Sequence, residues 1–234
     1  KHDKQYDKYN PWIWVDIESS GLDPDTSNIL EISAIITNSD MEIWDSIHIV
    51  IHHPHAILLA NSSSWCKRKF CSASFGGNGL FDACHYSNTS HQEASYMLYN
   101  FFEFYSSHGV GRGRPEIRNR MFFDRTMDSK GEYMGKFDVS QASYASKSPH
   151  RLIMLAGSTV HFDRGFLLRH FPSLKKFLNH KVIDVTSLLE TCRRFRPDVL
   201  VDLPRPSGHH RARQDIIDSI NLYSYIKAHV FDKA

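Results

Sequence analysis

Apolar positions along the chain follow two spacings. Trp12 to Ile17, Ile29 to Thr37 and Ile43 to Ile51 are β-branched and aromatic runs separated by short polar stretches, which predicts three strands joined as a meander. From Gln92 to Tyr105 the spacing becomes helical. A strand pattern returns at Leu152 to Leu155, followed by a helix at Phe166 to His170, a short strand at Val182 and Ile183, and a helix at Ser187 to Arg194. A last helix carries Ile216, Ile217, Ile220 and Tyr223. Three strands followed by alternating helix and strand predict an α/β protein with helices on the faces of a mixed sheet.

Acids interrupt this pattern at three places. Trp14-Val15-Asp16-Ile17-Glu18 holds two carboxylates at i and i+2, which on a strand project from one face. Two like charges side by side on a core strand need a cation or basic partners, although a lone D-x-E also suits an amphipathic edge strand. Asp163 follows the buried-strand pattern Leu152 to Ala156 through a Gly-Ser-Thr turn and opens a helix, where an acid by itself serves the helix dipole. His209 and His210 lie on the loop before the last helix, and Asp215 lies one turn into it, so a histidine and an acid can face a common point.

Phosphodiester hydrolysis needs groups of this kind. Water must lose a proton near neutral pH and the leaving oxygen must be stabilised, tasks met by two divalent ions roughly 3.5–4 Å apart. Carboxylates from separate elements supply hard oxygen ligands for Mg²⁺ or Mn²⁺. A histidine titrates close enough to neutrality to accept the proton of the attacking water.

The three motifs together resemble the DEDDh family of 3′-to-5′ exonucleases, and their surroundings resemble its oligoribonuclease branch. The carrying stretches are Trp14 to Pro24, Ile29 to Asn38, Ala156 to Leu167, Ile183 to Leu188 and His210 to Ile220. The resemblance implies a ribonuclease H-like mixed sheet, a three-strand antiparallel meander plus parallel strands flanked by helices, with the metal site over its central strands. It implies Asp16, Glu18, Asp163 and Asp215 as ligands of two Mg²⁺ or Mn²⁺ ions. It selects His210 as the general base, because the family's histidine precedes the last acid by five positions, and leaves His209 as a loop residue. The implied activity is exoribonucleolytic digestion of short RNA, dinucleotides preferred, to nucleoside 5′-monophosphates. A DEDDh exonuclease trimming longer RNA or DNA and a non-enzymatic nucleic-acid-binding module are the alternatives.

The resemblance also carries substrate-binding positions. Leu22 stands where a leucine wedges between the two bases, and Trp65 stands near the aromatic of the 3′ base site, with a core tryptophan as the alternative. Around the 5′ phosphate the family uses serine, arginine and serine with a tyrosine lent by the second subunit of a homodimer; Thr159, Lys181, Thr186 and His180 occupy those positions here. Lysine replaces a bidentate fork with a point charge, which loosens the expected cap. Ser158 stands where the family has asparagine.

Composition changes this picture little. A chain of 234 residues with 41% apolar content builds a substantial core, and it is expected to be one exonuclease domain over residues 1–234. Gly109 to His150 matches nothing in the family and reads as a basic insertion, eight basic against five acidic side chains in a chain of net charge +2. Such a run either attracts phosphates nonspecifically or simply faces water. Cys66, Cys71, Cys84 and Cys192 contain no C-x-x-C pair and read as ordinary thiols of a reducing compartment. No apolar run is long enough to span a membrane. An intracellular protein is expected, cytoplasmic or mitochondrial. The start Lys1-His2-Asp3-Lys4, without Met, leaves room for a lost targeting segment.

Overall fold

The three N-terminal runs pair as expected. β1 (Trp12–Ser19) lies antiparallel to β2 (Ile29–Thr37), and β2 antiparallel to β3 (Ile43–Val50). β4 (Ile153–Gly157) and β5 (Leu178–Asp184) then add in parallel on the other side of β1, giving the order β3-β2-β1-β4-β5. The computed structural model describes residues 12–38, 40–108 and 152–232, so the expected insertion Gly109 to His150 lies outside the described residues.

Seven α-helices surround the sheet among the described residues: α1 (His55–Asn61), α2 (Ser64–Phe70), α3 (Leu80–Tyr86), α4 (His91–His108), α5 (Val160–His170), α6 (Val185–Phe195) and α7 (Ala212–Ile226). None of them is long and apolar enough to cross a membrane. The first three were not anticipated from the sequence. α5 starts at Val160 rather than Phe166, and β5 spans seven residues rather than two, its polar positions Asn179, His180 and Lys181 carrying no apolar signal.

Alternation along β1 divides the core. Ile13, Val15 and Ile17 point to one face, where Leu98, Phe101 and Phe102 of α4 and Phe166 and Leu167 of α5 cover them. Trp12 and Trp14 point to the other, against Ile216, Ile220 and Tyr223 of α7. Complete burial of each large apolar side chain stabilises the fold by about 1.5–3 kcal/mol. A third cluster, Leu58, Phe70, Leu80, Phe81 and Cys84 with Leu30 of β2, ties α1, α2 and α3 to the sheet. The four cysteines are free thiols, and Cys66, Cys84 and Cys192 are buried.

The sheet has two unlike ends. Trp12, Thr37, Ile43 and the start of β4 lie together at one, where Tyr105 near the end of α4 donates to Asp45 of β3. Glu18, Glu31 and Val50 lie together at the other.

Candidate active site

The face that begins as tryptophan ends as carboxylate. Trp12, Trp14, Asp16 and Glu18 share one side of β1, so the stripe packed against α7 turns acidic as it reaches the N-terminus of that helix. The partner strand matches it, with Ile35 opposite Trp14, the small Ser33 opposite Asp16 and Glu31 opposite Glu18.

Asp163 arrives from the adjacent strand. β1 pairs with β4 only from Trp12 to Trp14, and beyond that the strands part. Asp163, in the first turn of α5, takes the freed Ile17 N–H on its Oδ1 at 2.9 Å. Gly157 makes this approach possible: a Cβ there would lie 2.9 Å from the Val15 carbonyl. Thr159 follows with φ 55°, its N–H donating to Asp184 Oδ1 at 3.0 Å.

Asp215 and His210 come from the start of α7. Asp215 sits in its first turn, and Ser219 donates to its carbonyl while pairing with Ser158 at the end of β4. Donor atoms of Glu18, Asp215 and His210 all lie within 4.8 Å of one another. His209 is exposed beside them. The structure therefore brings together Asp16, Glu18, Asp163, Asp215 and His210.

These acids destabilise one another. Burial, then the neighbouring Asp163 and Glu18, hold Asp16 well above the usual carboxylate range. Burial and the Asp215 charge push Glu18 up to about 8, and burial raises Asp163 to about 8 despite the Ile17 hydrogen bond. Asp215 is raised to about 6 by burial and by Asp218. Four converging oxygen donors whose charges the protein leaves unbalanced fit divalent cations, which restore the ionised forms. Burial, reinforced by the Lys69 charge, lowers the pKa of His210, keeping the imidazole neutral at neutral pH.

Glu31 behaves in the opposite way. Its side chain is fully buried, and burial alone would raise its pKa, but hydrogen bonds from His48 and Arg211 draw it down to about 2. Arg211 grips it as a fork, with Nη2 to Oε1 at 2.6 Å and Nε to both oxygens at 3.1 and 3.2 Å, and the Ala212 N–H adds a bond of 2.9 Å. Glu31 thus caps α7 and anchors the chain next to His210. Sequence reasoning missed it; its signal was a single acid within a strand otherwise of apolar and small hydroxyl residues.

The substrate-binding candidates divide. Leu22 projects from the β1–β2 loop with 85% of its surface exposed, and Trp65 on α2 is 47% exposed, so the core alternative for Trp65 is set aside. The Trp65 ring stands edge-on to His210 with centroids 5.2 Å apart. Docking of α2 explains this position: Ser63 caps the helix and its N–H reaches the Ser20 carbonyl just past β1. Thr159 and Thr186 meet, Oγ1 to Oγ1 at 3.1 Å, over Asp184. His180 and Lys181 lie exposed on β5, and among the described residues no hydrogen bond joins either to the threonines.

The same fold is found in solved exonucleases. Exonuclease I from Methylocaldum szegediense superposes with a TM-score of 0.58 at 11% identity, covering 94% of this chain and 41% of that one. The zinc-bound complex of Escherichia coli exonuclease I with single-stranded DNA gives 0.59 at 11% identity, covering 96% and 42%. The chain thus spans about two fifths of those proteins' length. No family model matches the chain. Curated relatives align over nearly all of it. The Marinobacter nauticus oligoribonuclease is 30% identical over 220 residues, covering 94% of this chain and 95% of the relative. The mouse protein named oligoribonuclease, mitochondrial, is 28% identical over 222 residues, covering 94% and 73%. The fold is ribonuclease H-like, and the protein is a nuclease of the DEDDh class. Within that class the chain belongs to the oligoribonuclease family, whose activity is that of a 3′-to-5′ exoribonuclease.

Proposed function

We propose that this enzyme removes nucleotides from the 3′ end of very short RNA, with dinucleotides as preferred substrate and nucleoside 5′-monophosphates as products. The observation that carries the reading is the convergence of Glu18, Asp215 and His210 donors within 4.8 Å, beside Asp16 and Asp163. Asp16, Glu18, Asp163 and Asp215 would hold two Mg²⁺ or Mn²⁺ ions. Bound divalent ions supply an acidified water and charge stabilisation at the leaving oxygen.

The chain's own side chains do the rest. Neutral His210 accepts the proton of the attacking water, a role suited to its lowered pKa and its place at the open edge of the carboxylates. Trp65 stacks on the 3′ base, and the exposed Leu22 separates it from the next base. Thr159 and Thr186 present hydroxyls to the 5′ phosphate. His180 and Lys181, on the outer strand β5, are assigned to phosphate contacts in a homodimer. Mitochondrial and bacterial proteins both occur among the relatives, which supports an intracellular location, cytoplasmic or mitochondrial.

A second reading, trimming of longer RNA or DNA, is favoured by one observation. The cap threonines bond to each other, and among the described residues no hydrogen bond joins His180 or Lys181 to them. Solved neighbours include exonuclease I in complex with a dT13 oligonucleotide. Turnover of end-labelled RNAs of graded length at low and high salt separates the two, because high salt screens nonspecific attraction for long strands. Dinucleotides consumed faster than the longest RNA at high salt support the capped pocket; equal rates overturn it.

A further inference from the structure

Among the described residues His210 has no third partner of the kind that orients a histidine base. Among the described residues no hydrogen bond reaches its ring, which stands edge-on to Trp65. Its direction is therefore set by its backbone, and that backbone is strained: His210 has φ 53°, two residues after Gly208 at φ 67°. A non-glycine residue in the left-handed region persists only where its surroundings over-determine it.

Two structures hold it. Downstream, Glu31 pins Arg211 and Ala212. Upstream, Asn78 Nδ2 donates to the His209 carbonyl at 3.0 Å and to the His210 carbonyl at 2.7 Å, and Lys69 Nζ donates to the Gly208 carbonyl at 3.0 Å. Lys69 is a partly exposed residue that reaches the loop through one long side chain. Asn78 is held in place, because its Oδ1 accepts the Leu80 N–H at 3.1 Å and its own N–H donates to the Lys69 carbonyl at 2.8 Å. Leu80 and Phe81, which follow, are fully buried. The amide is thus a fixed donor pair aimed at two consecutive carbonyls, one of which belongs to the strained residue.

We propose that Asn78 is the positioning residue of His210, converting the packed α2–α3 substructure into the frame that aims the imidazole. The inference rests on His210 being the general base. It assigns one substructure to two tasks, since Trp65 stands on the same frame.

Asn78→Ser tests it, because a serine oxygen can still accept the Leu80 N–H while the two-carbonyl donor is lost. Misplacing a reacting group by about 1 Å costs on the order of a hundredfold, so kcat on a dinucleotide should fall about ten- to a hundredfold while KM moves less than about threefold. Amide exchange over residues 208–211 of the metal-free protein should accelerate by about tenfold or more. In the His210→Ala background Asn78→Ser should cost nothing further. Asn78→Asp, which keeps shape and acceptor but faces oxygen to oxygen, should repeat these losses and serves if the serine variant does not fold. Wild-type kcat, unchanged exchange, or an equal loss of kcat in the His210→Ala background would each overturn the proposal. If His210→Ala itself retains full turnover while exchange still accelerates in Asn78→Ser, the general-base reading has failed and the clamp stands.

Discussion

Removing the metal should make the protein progressively less stable as pH rises. Glu18 is pushed up to about 8 from an ordinary 4.5, and Asp163 to about 8 from 3.8. A carboxyl raised in the folded state contributes stability that is complete below its unfolded pKa and is lost as pH climbs through the folded one. At about 1.4 kcal/mol per pKa step, Glu18 alone weakens the metal-free fold by about 3–4 kcal/mol between about pH 5 and pH 8. For a chain of this size that is roughly 10 °C in Tm. Burial lowers the pKa of His53, His91 and His170, which acts in the opposite direction over the same window, but equally with and without metal. Glu31, drawn down to about 2, loses its contribution only below about pH 4.5, outside the window. The informative quantity is therefore the difference between melts in chelator and in saturating Mg²⁺, followed from about pH 5 to pH 8. It should be small at the acidic end and widen to roughly 10 °C at the basic end. A Mg²⁺ shift independent of pH would refute the argument that burial of these carboxylates, reinforced by their mutual repulsion and relieved by the cation, governs this site.

Asp163→Asn should abolish hydrolysis and yet raise the metal-free Tm at about pH 8, because it removes one of the repelling charges; parallel turnover and melting measurements check both halves. His210→Ala should lower kcat by about a hundred- to ten-thousandfold with little change in KM, whereas His209→Ala should do little, as steady-state kinetics on a dinucleotide will show. Trp65→Ala should weaken substrate binding by about 1–3 kcal/mol, read as KM or by titration of a nonhydrolysable dinucleotide. Glu31→Gln should cost about 3 kcal/mol in denaturant unfolding, since it leaves the Arg211 guanidinium without its counter-charge.

The carboxylates were legible because strand alternation is a local property: Asp16 and Glu18 two residues apart must share a face, and the turn before Asp163 and the loop before Asp215 mark their helix starts. What holds them is not local. Glu31 lies 180 residues from Arg211, and nothing near either announces the other. Asn78 sits among Gly76, Gly77 and Gly79 and reads as a turn until the turn is seen packed against the histidine loop. The seven-residue helices α1, α2 and α3 are too short for a helical period to stand out, so the stretch from Ile51 to Ser90 gave no elements. Trp65 illustrates the boundary: its residue type admitted stacking or core, and only the docking of Ser63 on Ser20 decides its exposure.

The polarity of the sheet bears on how such an enzyme can change over time. The candidate site lies at the rim that holds Glu18, while α4 ends at His108 and β4 begins at Ile153 at the opposite rim. Six residues of β1, about 20 Å at strand spacing, separate the two. The chain between α4 and β4 is thus anchored at the rim that holds Asp45, away from Glu18 and the side chains gathered around it. Length changes at that junction therefore bear on the rim of Asp45 and Tyr105 rather than on the rim of Glu18.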